Sequence, residues 1–314
     1  MATWMITGAS GWLGSRVLEA LVQDLSGDDR VVALGRHRPD ALRGALFVAA
    51  DLLDPESIGR AVHDVRPDVV IHAAGKTPPS PDAEMYEANF WGTSRLLTAV
   101  KELKRPVRVV VAGSAAELGP IQPADLPVTE DHPCAPMTAY GRSKAMATAA
   151  ATAMRGPVEV VVGRVFNLVG PAMPESLAFG RFASQLASPG ADPATLLTGR
   201  LDSRRDFVDV RDAALALLAL ATQGTPGKVY NVASGSSRSI QEGLDLLVGL
   251  SGRAVRTSVD PAAMRRTEPD DTRASLDRIT ADTDWRPEIP FNRSIADLWG
   301  GVVSRVWSPL PLTA

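Results

Sequence analysis

The sequence predicts an α/β protein: a doubly wound parallel sheet followed by a smaller α/β unit towards the C-terminus. Three observations carry the prediction. Short apolar, β-branched runs alternate with helix-periodic stretches through the first half; a glycine-rich segment separates the first run from the first helix; and beyond Gly170 proline and glycine break the pattern into short pieces.

Trp4-Met-Ile-Thr7 is the first apolar run, and Ser15 to Asp24 follows with Val17, Leu18, Leu21, Val22 and Leu25 at helical spacing. Val31 to Leu34, Leu46 to Ala50, Val69 to His72, Val107 to Ala112 and Val158 to Gly163 read as strands covered on both faces. Pro55 to Val65 behind the N-cap Asp54, Ala83 to Leu103 and Ala139 to Met154 read as the helices between them. Strand and helix alternating at this pitch require right-handed crossovers and hence a parallel sheet. After the segment broken by Pro171, Pro174, Pro189 and Pro193, the run Phe207 to Val210 and a helix from Arg211 to Thr222 restore the pattern. The strand Val229 to Val232, a helix near Ser239 to Leu250, a strand near Val255 to Val259 and a helix near Ser294 to Val306 complete the chain, and Ser308-Pro-Leu-Pro311 cannot continue that helix. Residues 1–168 with 204–234 are therefore expected to form the sheet domain, and 169–203 with 235–314 a substrate-binding domain.

The composition is that of an enzyme-sized globular chain. Its 314 residues are 45% hydrophobic and 22% charged, with a formal charge of -3. A single cysteine, Cys134, excludes a disulfide framework, and four unpaired histidines give no metal spacing, so no metal is expected. Nothing resembles an apolar span of about 18 residues or a signal peptide, which points to the cytoplasm and away from membranes. Arginine outnumbers lysine 28 to 5, but acids balance it along the chain, so nucleic acid is not an expected partner.

Gly8-Ala-Ser-Gly11-Trp-Leu-Gly14 lies where a strand hands over to a helix. Glycines there let the backbone turn sharply and approach a pyrophosphate, whose charge meets the helix N-terminus. Ser10, Trp12 and Leu13, within this turn, are assigned to the same cofactor site. At the end of the second strand, where an acid would hold a ribose diol, stands Gly35-Arg36-His37-Arg38. A guanidinium there suits a 2′-phosphate, so NADP(H) is the expected cofactor, with Arg36 its main contact; an exposed Arg-rich loop is the alternative.

Tyr140-Gly-Arg-Ser-Lys144 places a phenol and an ammonium one helical turn apart. A phenol exchanges protons near neutrality only when a cation stabilises its anion, which Lys144 supplies. Ser114, at the carboxyl edge of the fifth strand, is placed to hold a substrate oxygen. Ser114, Tyr140 and Lys144 are the expected catalytic residues.

Together these motifs resemble the extended short-chain dehydrogenase/reductase family, a Rossmann-type fold, over nearly the full chain: the glycine turn, Asp51-Leu52, His72-Ala-Ala74, Asn89 in Ala-Asn-Phe-Trp-Gly-Thr93, Ser114, Tyr140 with Lys144, Arg164 to Pro171, and Arg205 to Val210. The sequence is most similar to the nucleotide-sugar branch, especially to GDP-4-keto-6-deoxymannose reductases, in Ala124 to Asp131, Ser203 to Asp212 and Thr283 to Pro290. The resemblance implies that Asp51 and Leu52 flank the adenine, that Ala73 and Ala74 line the cofactor, and that Asn89 and Lys144 meet the nicotinamide ribose. It also implies that Asn167 and Arg205 bind the substrate diphosphate. A capping amide for Asn167 and an ion pair with Asp206 or Asp209 for Arg205 are the alternatives. It further implies a homodimer built on the helices 83–103 and 139–154 as a four-helix bundle.

Dehydratases of this branch carry an acid two places beyond the active-site Ser or Thr. Here Ala115 and Ala116 follow Ser114, and Glu117 lies one place too far on. Methyl groups move no protons, which leaves ketone reduction or 4-epimerisation. An exchanging NADPH favours reduction of a nucleotide-diphosphate-linked 4-keto-6-deoxyhexose; an NAD-dependent 4-epimerase is the alternative, and a non-catalytic NADP-binding regulator is disfavoured by the presence of all three catalytic residues. Lys76, in a Pro-rigid loop, is a candidate substrate contact, His72 is expected to be a packed residue, and Cys134 is given no role.

Overall fold

The structure, a computed structural model, describes residues 2–24, 29–189, 193–260 and 271–307. The expectations that touch Leu25 and Ser308 to Pro311 lie outside the described residues.

In chain order the elements are β1 (Thr3–Thr7), α1 (Trp12–Asp24), β2 (Arg30–Gly35), β3 (Leu46–Ala49), α2 (Pro55–Val65), β4 (Val69–His72), α3 (Asp82–Met85), α4 (Gly92–Glu102), β5 (Val107–Ser114), α5 (Ala139–Thr152) and β6 (Val158–Val165). They continue as β7 (Asn167–Val169), α6 (Ala178–Ala187), β8 (Ala194–Thr198), β9 (Arg204–Asp209), α7 (Val210–Gln223), β10 (Val229–Val232), β11 (Ser237–Ser239), α8 (Ile240–Ser251), β12 (Val255–Val259), α9 (Asp277–Thr283) and α10 (Phe291–Trp307).

Seven strands form one sheet in the order β10-β6-β5-β4-β1-β2-β3, every pair parallel. Their continuous apolar sequences bury both faces: Ile6, Val110, Val161 and Val232 face α1 and α7, while Met5, Val32, Val109 and Val160 face α2 and α4. Asp54 caps α2 as the sequence implies, accepting from the amides of Glu56 and Ser57 at 3.0 and 3.2 Å. Strand order reverses between β1 and β4, which places a crevice at the carboxyl edge beside Gly8 and Ala73.

The helix expected over 83–103 is real but not uniform. A π-helical turn, Tyr86–Trp91, joins α3 to α4 and carries Asn89 inward.

A second correction concerns residues 204–209. They were expected in the large sheet, but β9 instead pairs with β7 in parallel and with β11 antiparallel, forming a separate three-stranded sheet. The chain rejoins the large sheet only through α7 and β10. Around the small sheet, α6, α8 and α10 enclose Val169, Phe179, Phe182, Phe207, Leu244 and Leu298, with the Phe179 and Phe207 rings 5.0 Å apart. β8 and β12 pair in parallel outside it. No helix among the described residues is long and apolar enough to cross a membrane.

Candidate active site

The glycine turn is built by close approach. Gly8 has φ +77, and a Cβ there would sit 2.6 Å from the Ala74 nitrogen; a Cβ at Gly14 would sit 2.0 Å from the Gly8 carbonyl oxygen. Those contacts draw β1, β4 and α1 together at the crevice and place Ala73 and Ala74 against the turn. The first intrahelical bond runs from Ser15 N to Gly11 O at 2.9 Å, so the amides of Trp12, Leu13 and Gly14 have no acceptor in the helix. With Ser10 and Gly11 exposed beside them, this helix start fits the pyrophosphate of a dinucleotide. Leu13 packs on the sheet core. The Trp12 indole donates to the Pro171 carbonyl at 2.9 Å and packs on the small-sheet core.

Arg36, His37 and Arg38 are all exposed where β2 ends, as a 2′-phosphate contact requires. The half-buried Asp51 turns its carboxylate to the Leu53 amide at 2.9 Å, and Leu52 packs beside Gly92 of α4.

Ser114, Tyr140 and Lys144 converge on the crevice from β5 and α5. Thr138 caps α5 by accepting from the Gly141 amide at 3.0 Å, which fixes the first turn and the Tyr140 side chain with it. Burial pushes the Tyr140 phenol up, and the neighbouring Ser114 hydroxyl opposes that shift. Lys144 is 9% exposed and donates to the Ala112 carbonyl at 2.5 Å; burial lowers its ammonium pKa and Glu117 opposes the shift.

Beneath them lies a polar chain whose hydrogen bonds the sequence did not show, built on His72, expected there only as a packed residue, and on Asn89, expected there as a cofactor contact. His72 is buried between Thr7 Oγ1 at 2.6 Å and Thr93 Oγ1 at 2.9 Å, and burial first, then the Lys144 charge, pushes it down to about 3. A neutral imidazole therefore joins β1, β4 and α4. Asn89 donates to the Lys76 carbonyl and to Ser143 Oγ, both at 2.9 Å, and accepts from the Lys76 amide at 2.8 Å. Its amide holds the loop after β4 to α5.

Glu117 is also spent internally: Oε1 accepts from the Ser114 amide at 2.7 Å and from Thr148 Oγ1 at 3.0 Å. Oε2 faces Arg164 Nε at 3.5 Å. The surface beside Ser114 is thus left to Ala115 and Ala116. Cys134, given no role by the sequence, accepts from Arg164 at 3.3 Å.

On the substrate side, Lys76 is ion-paired with Glu84. Asn167 is half-buried and donates to the Asp206 carbonyl at 3.3 Å. Arg205 is 8% exposed and donates to the Arg204 carbonyl at 2.7 Å. Asp206 serves Ser234, Gly235 and Ala274, and Asp209 pairs with Arg211, so those carboxylates have partners of their own. Among the described residues no three His, Cys, Asp or Glu side chains gather as a metal centre would need.

A family model described as the NAD dependent epimerase/dehydratase family matches residues 4–233. The chain is 33% identical over 310 residues to the GDP-6-deoxy-D-mannose reductase of Pseudomonas aeruginosa, covering 96% of this chain and 97% of that one. It is 32% identical to the dTDP-6-deoxy-L-talose 4-dehydrogenase (NAD(P)(+)) of Kitasatospora kifunensis, over 94% and 93% of the two chains. Among solved structures, RMD from Pseudomonas aeruginosa complexed with NADPH superposes with a TM-score of 0.84 at 30% identity, over 97% of this chain and all of that one.

Proposed function

The chain belongs to the NAD-dependent epimerase/dehydratase family and is an NAD(P)-dependent oxidoreductase of the extended short-chain dehydrogenase/reductase type; from that premise we propose that it reduces a nucleotide-diphosphate-linked 4-keto-6-deoxyhexose at C4 with NADPH. The observation that carries the reaction type is the fate of Glu117. Its carboxylate is buried behind Ser114, accepting from the Ser114 amide, and the two residues that follow Ser114 are alanines, so the site has a proton donor for an oxygen but no acid or base for eliminating water.

Bound NADPH supplies hydride to the carbonyl carbon. Ser114 at the end of β5 and Tyr140 in the first turn of α5 are placed to reach the oxygen on which negative charge develops. Ser114 donates to that oxygen, and Tyr140 delivers the proton that completes the alcohol. Lys144, one turn along α5, stabilises the tyrosinate left behind. A hydride given up by NADPH, which would leave as NADP+, and the proton given up by Tyr140 would add across the one C=O bond to give the alcohol.

Three features support the partner and cofactor assignments. The exposed Arg36 group matches a 2′-phosphate; the related protein with NADPH bound shares the fold at 30% identity; and Asn167 and Arg205 lie on β7 and β9 of the small sheet, where we place the substrate diphosphate. Trp91 at the end of the π-turn and Met146 on α5 are 48% and 41% exposed, which supports a homodimer through the helices 83–103 and 139–154; we place the protein in the cytoplasm. Sedimentation tests the dimer.

Incubation with GDP- and dTDP-linked 4-keto-6-deoxyhexoses tests the reaction. Stoichiometric NADPH oxidation with one new C4 alcohol, read by NMR, is the expected result. Redox-neutral interconversion of two nucleotide hexoses would assign the chain to the 4-epimerases instead.

A further inference from the structure

His72 ends β4 in register with Thr7, the last residue of β1, and both of its ring nitrogens are engaged. Nδ1 lies 2.6 Å from Thr7 Oγ1, and Nε2 lies 2.9 Å from Thr93 Oγ1. Thr93, at the second position of α4, spends its one hydroxyl proton on the Asn89 carbonyl at 2.5 Å. Its oxygen can therefore only accept from the imidazole, which places the ring proton on Nε2. Nδ1 is then an acceptor, and Thr7 donates to it. The bonds run one way, from Thr7 through His72 and Thr93 to the carbonyl of Asn89 inside the π-turn.

Asn89 is where this chain meets the catalytic helix. Its side chain clamps the Lys76 backbone and donates to Ser143 Oγ, and the Ser143 hydroxyl donates to the Tyr140 carbonyl. The stretch between His72 and Lys76 lies directly against it, since a Cβ at Gly75 would sit 2.6 Å from Asn89 Oδ1. Strand end and loop are thus stitched to the π-turn twice, His72 through Thr93 and Lys76 through Asn89. Thr7, His72, Thr93, Asn89 and Ser143 are each 2% exposed or less, so any bond that is lost leaves a buried polar group unpaired. Packing alone accounts for a ring at this place. It does not account for two hydroxyls of fixed polarity that lead from the residue before Gly8 to the turn bracing Tyr140.

We infer that His72, held as the Nε2–H tautomer, and Thr93 are positioning residues for the reaction: they fix the π-turn to the end of β1, so that the glycine turn and the helix presenting Tyr140 share one frame. Hydride donor and proton donor are then held in register with each other, because the pyrophosphate fits the one element and the phenol belongs to the other. The inference rests on Tyr140 being the proton donor, as proposed above, but not on the identity of the sugar.

Three readouts test it. Histidine nitrogen-15 NMR reports the tautomer, and His72→Gln identifies the His72 signal among the four histidines. A neutral ring protonated on Nε2 is expected; a ring protonated on Nδ1, or on both nitrogens at neutral pH, would overturn the inference. Thr93→Val keeps the side-chain shape without the hydroxyl, and Thr93→Ser keeps the hydroxyl. In the NADP+ complex, Thr93→Val should speed exchange of the Lys76 amide, the one Asn89 accepts from, by about tenfold, while Val109 and Val110 of β5 keep wild-type rates. In ketosugar reduction the same variant should lower kcat by about ten- to a hundredfold with both KM values within about threefold, and Thr93→Ser should restore most of the loss. Unchanged Lys76 exchange, equal acceleration throughout β5, or a serine variant as impaired as the valine one would reduce Thr93 and His72 to packing residues. Should Thr93→Val not fold, the wild-type tautomer and the contrast of Thr93→Ala with Thr93→Ser decide by the same criteria. Failure to turn over any ketosugar would count against the proposed reaction and leave the tautomer and exchange results to decide the inference.

Discussion

The side-chain amide of Asn89 donates to Ser143 Oγ at 2.9 Å, and through that bond the π-helical turn grips the helix that carries Tyr140 and Lys144. Ser143 passes the connection on by donating to the Tyr140 carbonyl at 2.8 Å. With its other groups Asn89 holds the Lys76 backbone. Asn89→Ala removes three hydrogen bonds from a largely buried site, and a loss of about 2 kcal/mol in urea unfolding is expected. kcat/KM should fall with it, since both the loop after β4 and α5 lose their brace. An unfolding curve that overlies the wild type would show the bonds to be dispensable.

His72 makes stability depend on acidity. Its imidazole is held neutral in the fold, pushed down to about 3 from an ordinary 6.5, so its contribution is complete above about pH 6.5 and lost as pH falls towards 3. Over that window the unfolded chain binds a proton the fold does not, which costs up to about 1.4 kcal/mol per pH unit. Between pH 7 and pH 5 the wild type should lose about 2 kcal/mol more than His72→Gln in urea unfolding. Parallel losses in the two proteins would contradict a neutral buried His72.

Cofactor choice should reside largely in Arg36. Replacing it by alanine removes one charge-assisted contact, and KM for NADPH should rise about tenfold with little change for NADH. Steady-state kinetics with both cofactors read this directly. Equal kcat/KM values for the two cofactors in wild type and variant alike would assign the arginines to the solvent surface.

Tyr140→Phe deletes the proton donor and keeps the ring. kcat is expected to drop by about a hundred- to ten-thousand-fold, while NADPH titrated by fluorescence still binds. Undiminished turnover would move proton delivery to another group.

The large sheet was legible because its evidence is local. Runs such as Val107 to Ala112 pack on both faces, and Gly8 and Gly14 meet backbone where no side chain fits, so composition alone reports the burial. The small sheet was not legible. Its strands β7 and β11 are three residues each, and β9 owes its place to partners about forty and thirty residues away in sequence. The Tyr140 and Lys144 spacing was readable because one helix sets it. Glu117 was readable only as an acid in the wrong place; what it does depends on Arg164 and Thr148, which no periodicity brings together. Asn89 was found by resemblance, yet its inward orientation follows from the π-turn, which shifts the helix register by a residue and leaves no mark in the apolar pattern.

The Trp12 indole, donating to Pro171, has a mechanical consequence. It rivets one corner of the small sheet's housing to the turn where β1 meets α1. A swing that parts that corner must break the bond, at about 1 kcal/mol, and wet the indole as well. A swing that pivots on it does neither, so the cleft would open as a door hung at Trp12, with the far side travelling and the glycine turn serving as the hinge post.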